Sequence, residues 1–205
     1  YADGKAVELL ANAVKQSTVS RNNLFLTLSI YQQDAVNASE IMKRVADYLK
    51  KFRTRYLDNL QFSSSVIAGI GLSNIKEVTR HLLKQKRVRF TGLTNANLPT
   101  LKQFYKIFGP VHFSHEVCFN FEIRENETLG ITGWASKHNI VNVIYQPLRR
   151  NKTALRLWPL LVRLEKKYGY TQNQILLNWI CSKGFFPLVK STNPYHINQN
   201  LDAFA

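Results

Sequence analysis

The sequence predicts an α/β fold built on a parallel sheet, either a barrel or a doubly wound sheet. Short apolar runs alternate with helix-like stretches along the whole chain. No repeat of solenoid period and no low-complexity linker interrupts that alternation. The length, 205 residues with 45% hydrophobic and 20% charged side chains, is that of a globular chain with one sizeable core. A single domain over residues 1–205 is expected.

The elements follow in chain order. Residues 6–16 (AVELLANAVKQ) read as a helix and 24–30 (LFLTLSI) as the first strand. Residues 38–53 form the next helix, 56–62 (YLDNLQF) the second strand and 76–85 a helix. Residues 88–93 (VRFTGL) are the third strand, 98–107 a helix and 111–117 (VHFSHEV) the fourth strand. Residues 141–145 (VNVIY) are the fifth strand, followed by a long helix at 154–168 and another at 171–181. Thr171 is placed to cap that last helix, and 186–189 (FPLV) is the sixth strand.

Composition narrows the function classes. No run of eighteen apolar residues and no basic-then-apolar leader is present, so neither a membrane span nor a secretory signal is expected. The chain opens on Tyr1 instead of Met, so residues preceding it are expected. Cys118 and Cys181 are too few for a disulfide scaffold and lack metal-ligand spacing with the five histidines, so no metal is expected and a reducing or organellar interior fits. Glycosylation-type triplets at Asn37, Asn126 and Asn151 read as chance. The net charge of +15 is the outlier, and between Lys43 and Arg89 twelve basic residues face only Asp47, Asp58 and Glu77. Such an excess attracts polyanions, RNA ahead of a lipid surface because no long basic amphipathic helix stands out.

The C-terminal stretch GYTQNQILLNWICSKGFFPLVKSTNPYHINQNLDAF resembles the aldo-keto reductase family, NADPH-dependent carbonyl reductases built on a (β/α)8 barrel, and the resemblance runs the length of the chain. It implies a TIM-barrel-like fold with the first two barrel strands absent from this sequence. It places Pro187, Lys190, Ser191, Thr192 and Asn200 in the segment that holds the adenosine end of the cofactor, with His196 at the family's Arg and Gln199 at its Glu. RVRFTGLTN puts Thr94 and Asn95 where the nicotinamide amide binds, and VNVIYQPL puts Tyr145 where an aromatic stacks on nicotinamide, with Gln146 in place of Ser. HFSHEVCFN places His115 at an Asn and Glu116 at a nicotinamide-binding Gln.

The family's chemistry rests on a Tyr acid tuned by a Lys and an Asp, with a His that orients substrate. The resemblance puts Tyr1 on the acid, Ser29 on the Lys and Ser63 on the His. A tyrosine with a pKa near ~10 needs a neighbouring cation to donate its proton at neutral pH. Losing one tuned partner costs about two to four orders of magnitude.

The expectation is therefore a catalytically inactive subunit of a larger RNA-containing assembly such as a mitochondrial ribosome, with mitochondrial location and, at most, a residual hold on NADPH. Its RNA contacts are expected at Lys50, Lys51, Arg53, Arg55, Lys86, Arg87 and Arg89, and at Arg149, Arg150 and Lys152, where the family loop is Gly-rich. Trp134 and Tyr145 read as barrel packing before base-stacking platforms. The alternative is an active NADPH-dependent carbonyl reductase, or a regulatory subunit that binds NADPH without turning it over.

Overall fold

The computed structural model describes residues 5–203 and divides into two compact units, one ending at Phe113 and the other running from Ser114. The first unit contains α1 (Lys5–Gln16), β1 (Thr27–Ile30), α2 (Ala38–Phe52), β2 (Leu57–Ser63), α3 (Ser64–Ile70), α4 (Leu72–Lys84), β3 (Val88–Thr94) and α5 (Leu98–Phe108). Its strands run parallel, with Ser29 opposite Gln61 and Gln61 opposite Gly92. β4 (His112–Cys118) leads into the second unit, with α6 (Glu125–Thr128), α7 (Ile131–Lys137), β5 (Val141–Tyr145), α8 (Pro159–Tyr168), α9 (Gln172–Ser182), β6 (Phe186–Pro187) and α10 (Pro194–Asp202). There β5 pairs in parallel with both β4 and β6.

Alternation explains both cores. In the first unit Leu28, Ile30, Leu60, Phe62 and Leu93 share one face of the sheet, and all are buried. Ile41, Val45, Leu49 and Phe52 on α2 and Ile75, Val78 and Leu82 on α4 supply the matching apolar stripes. Asn37 caps α2 by accepting from the Glu40 N–H, while the Glu40 carboxylate accepts from the Val36 N–H. In the second unit Val117, Phe119, Ile144, Ile180 and Phe185 form one buried cluster with Trp179 against it.

Boundaries differ from the expected ones for local reasons. β1 starts at Thr27 because the Leu26 N–H bonds to the Asp58 carboxylate instead of joining the ladder. The long helix expected at 154–168 is broken: Leu157 is left-handed at φ 50°, Trp158 is extended before Pro159, and α8 begins at that proline. Thr171 caps α9 in a full capping box with Gln174. α3, α6 and α7 lie outside the expected helices; α3 is held between its Ser63 cap and Gly71, which sits at φ 87°.

Asp58, 1% exposed, anchors the entry of the first unit's sheet: it takes Arg21 at 2.8 Å, Arg89 at 2.9 Å and the Leu26 N–H at 2.8 Å. Removing it takes a charged acceptor from two guanidinium groups, of which Arg21 keeps bonds to Thr54 and to the Leu24 and Tyr56 carbonyls, and strips the buried Leu26 N–H of its acceptor. Replacing Asp58 with Ala is expected to lower unfolding free energy by about 3 kcal/mol in urea denaturation, the low end for a broken buried pair because Arg89 is half exposed.

Candidate functional site

Sites on parallel α/β folds gather at the C-terminal ends of the strands. In the first unit the sheet face opposite the apolar one carries Ser29, Asn59, Gln61, Ser63 and Thr94, of which the last four are buried. Buried polar groups of this kind must be hydrogen-bonded. Gln61 Nε2 donates to Ser29 Oγ at 2.8 Å, and Asn59 Nδ2 donates to Gln61 Oε1 at 3.5 Å. Ser63 Oγ accepts from the Val66 N–H at 3.3 Å and shares a 2.8 Å hydrogen bond with Ser65 Oγ, so its hydroxyl serves as the cap of α3.

At the end of β3 the Thr94 hydroxyl is buried and has no partner among the described residues. Asn95 follows in the left-handed region at φ 53°, its carbonyl accepting from Ser64 Oγ at 2.7 Å. An unanswered buried hydroxyl suits a ligand with its own amide, as the nicotinamide end of NADPH has. The residues of this face therefore fit that group. They offer hydrogen bonds, and none of the five titrates near neutrality.

In the second unit Glu116, Cys118 and Tyr145 share one sheet face, with Cys118 opposite Tyr145, whereas the buried His115 lies on the other face with Val117. Burial pushes the Cys118 thiol up despite the opposing charge of Arg149, which makes it a poor nucleophile. Beyond Tyr145 the chain takes left-handed backbone at Gln146, Arg149, Arg150, Asn151 and Leu157. Such backbone is costly for residues other than glycine and persists where its surroundings enforce it.

Glu122, in the loop after β4, does the enforcing. Its carboxylate accepts from Arg149 and Arg156 and, at 2.8 Å, from Thr153 Oγ1. Asn120 holds that loop through the Glu122 and Ile123 N–H groups and donates to the Gln146 carbonyl at 3.3 Å.

Lys190 and Thr192 are exposed, and Ser191 Oγ accepts from the Asn193 N–H at 3.1 Å where Asn193 caps α10. His196 is exposed, Gln199 donates to the Tyr195 hydroxyl at 3.1 Å, and Asn200 is half-buried. A lysine and hydroxyls before this helix suit a phosphate. Tyr1 lies outside the described residues.

The basic residues expected to contact RNA differ in how far they are engaged within the fold. Arg89 is engaged by Asp58 and Arg149 by Glu122, so two of the basic residues neutralise internal carboxylates. Lys51 lies 3.8 Å from Glu8. Arg53 ends α2 in left-handed backbone, and Lys50, Arg55, Lys86, Arg87, Arg150 and Lys152 are exposed. Among the described residues no cluster of His, Cys, Asp and Glu suits a metal ion, and no helix is long and apolar enough to cross a membrane. Sequence reasoning missed Asn59, Gln61 and Glu122; only the strand register and the long-range loop contact bring out their roles.

Two carboxylates make acid stability testable. Burial pushes Glu122 up, but hydrogen bonds from Thr153 and Arg149 and the charges of Arg149 and Arg156 outweigh it and hold it below the usual carboxylate range. The hydrogen bond from Lys183, with that from Arg124, likewise holds Glu127 down. A folded-state pKa below the unfolded one contributes stability above the unfolded pKa, and that stability is lost as pH falls through the folded one. Thermal melts from neutral to acid pH should fall less steeply in a Glu122→Gln, Glu127→Gln double variant than in the parent chain.

Known proteins share this architecture. Methylglyoxal reductase DkgA of Yersinia pestis is 22% identical over 205 residues, covering 98% of this chain and 70% of that protein. The NADPH-dependent alpha-keto amide reductase of Saccharomyces cerevisiae is 26% identical over 208 residues, covering 95% and 66%. Among solved structures, a thermostable aldo-keto reductase bound to the inhibitor epalrestat superposes with TM-score 0.88 at 24% identity, covering 100% of this chain and 73% of that one. An aldo-keto reductase from Klebsiella pneumoniae in complex with NADPH superposes with TM-score 0.87 at 21% identity, covering 99% and 71%.

These relatives are named as reductases and one solved neighbour holds NADPH, which overturns the expectation of an inactive, RNA-binding ribosomal subunit. The alternative reading, reductase or NADPH-binding chain, fits them better. The family profile described as "Aldo/keto reductase family" matches residues 1–205, and with the parallel β/α architecture of both units it leads to one conclusion: this chain belongs to the aldo-keto reductase family.

Proposed function

We propose that the chain is an NADPH-dependent reductase of activated carbonyls, 1,2-dicarbonyl compounds above all. The observation that carries the reading is the neutral polar face of the first unit, ending in the buried Thr94 hydroxyl that lacks a partner among the described residues. Thr94 and Asn95 are the residues that would hold the carboxamide. NADPH, when bound, supplies the hydride, and the carbonyl oxygen takes a proton to become the alcohol.

The residues present bear on the substrate class. Ser29 places no cation beside the tyrosine acid that the family resemblance assigns to Tyr1, so proton donation is weak at neutral pH. A carbonyl flanked by a second carbonyl is already electron-poor and needs less help from an acid. The names of two relatives, a methylglyoxal reductase and an alpha-keto amide reductase, are both of this substrate type. A second reading, an NADPH-binding subunit without turnover, is favoured by Ser29 and Ser63 standing where the family has Lys and His.

One assay separates them. NADPH oxidation is expected with methylglyoxal and to be far slower with a simple aldehyde. Ser29→Lys should raise kcat on the simple aldehyde by about 100-fold, the worth of one tuned partner. Quenching of NADPH fluorescence without oxidation of any carbonyl selects the second reading; neither quenching nor oxidation sinks both.

A further inference from the structure

We propose that Gln61 is a positioning residue that turns the Ser29 hydroxyl into a fixed hydrogen-bond donor for the oxygen of a neutral, electron-poor carbonyl, an inference that rests on the reductase reading above. Ser29 and Gln61 are register partners on β1 and β2, and Gln61 Nε2 donates to Ser29 Oγ at 2.8 Å. The way an amide points is decided by what its oxygen meets. Here Gln61 Oε1 accepts from Asn59 Nδ2, which turns the Gln61 nitrogen toward Ser29. Oγ therefore acts as acceptor toward Gln61, and its own hydrogen has no partner among the described residues.

Burial decides which side is reachable. Gln61 and Asn59 are buried at 2% and 1% exposure, while Ser29 is half-buried, so Ser29 is the reachable member of the three. Ser63 does not compete, because its oxygen caps α3 and pairs with Ser65. The group presented at Ser29 is thus a neutral donor, about half as strong as a charged one. It matches a carbonyl that already lacks electrons. An anionic keto acid meets no countercharge among Ser29, Asn59, Gln61, Ser63 and Thr94, and loses solvation there.

The decisive variant is Gln61→Glu, which keeps the shape but replaces the donor by an acceptor and draws the Ser29 hydrogen inward. Pyruvamide serves as the neutral substrate mimic and pyruvate as the anionic one. Both are titrated calorimetrically into the full chain with NADP+ present, alongside kcat and KM for methylglyoxal. At about pH 8, pyruvamide should bind the parent chain about tenfold more tightly than it binds Ser29→Ala or Gln61→Glu, the worth of one hydrogen bond. Pyruvate should bind the parent more weakly than pyruvamide. Acidifying the Gln61→Glu protein through its carboxyl range should restore pyruvamide binding, because the protonated acid donates again, while the parent stays flat.

Equal pyruvamide binding by parent and Ser29→Ala, no binding to the parent, or a loss in Gln61→Glu that acid does not reverse would overturn the inference. If Gln61→Glu fails to fold by circular dichroism, the Ser29→Ala comparison alone decides. Should the binding pattern appear with no NADPH oxidation, the reductase reading fails and the positioning role stands.

Discussion

β2 is buried from Leu57 to Ser63, and a strand with no solvent face must satisfy every second side chain on each side without water. That constraint organises the first unit. Leu60 and Phe62 belong to the apolar face, whereas Asn59, Gln61 and Ser63 must find hydrogen-bond partners across the register or in the turn that follows. Gln61 finds Ser29, and Ser63 finds the start of α3. At the other end Asp58 collects two arginines and the Leu26 N–H, so even the charged residue of the strand is fully answered. The candidate chemistry centres on the Ser29 and Thr94 hydroxyls.

The same accounting applies to the charged side chains, several of which are paired within the fold although the net charge is +15. Arg21 and Arg89 answer Asp58, Arg149 and Arg156 answer Glu122, and Arg124 and Lys183 answer Glu127. Three carboxylates each gather two cations. The basic loop after β5 is thereby tied inward to the loop after β4, holding a run of left-handed residues in place.

The family resemblance reads Ser29 and Ser63 as two losses of the same kind. Their surroundings separate them. Ser63 has a structural post as a helix cap, a position that prefers serine on its own account. Ser29 has a directed hydrogen bond and an open side. A substitution away from a family's catalytic residue is therefore not one event with one meaning; what it does depends on which neighbours take up its hydrogen bonds.

Alternating apolar runs and helix-like stretches made the parallel β/α fold legible in the sequence, because periodicity and local turn chemistry are written in consecutive residues, and the resemblance of the C-terminal stretch pointed to the family. Thr171 as a cap and residues 141–145 as a strand were legible for that reason. The pairing of Ser29 with Gln61, the convergence of Arg149 and Arg156 on Glu122 and the break at Leu157 were decided only in the tertiary structure. Each joins residues tens of positions apart or depends on backbone held by such a contact. Which side chains are engaged and which are left to meet a ligand is a property of three-dimensional neighbours, and sequence spacing does not encode it.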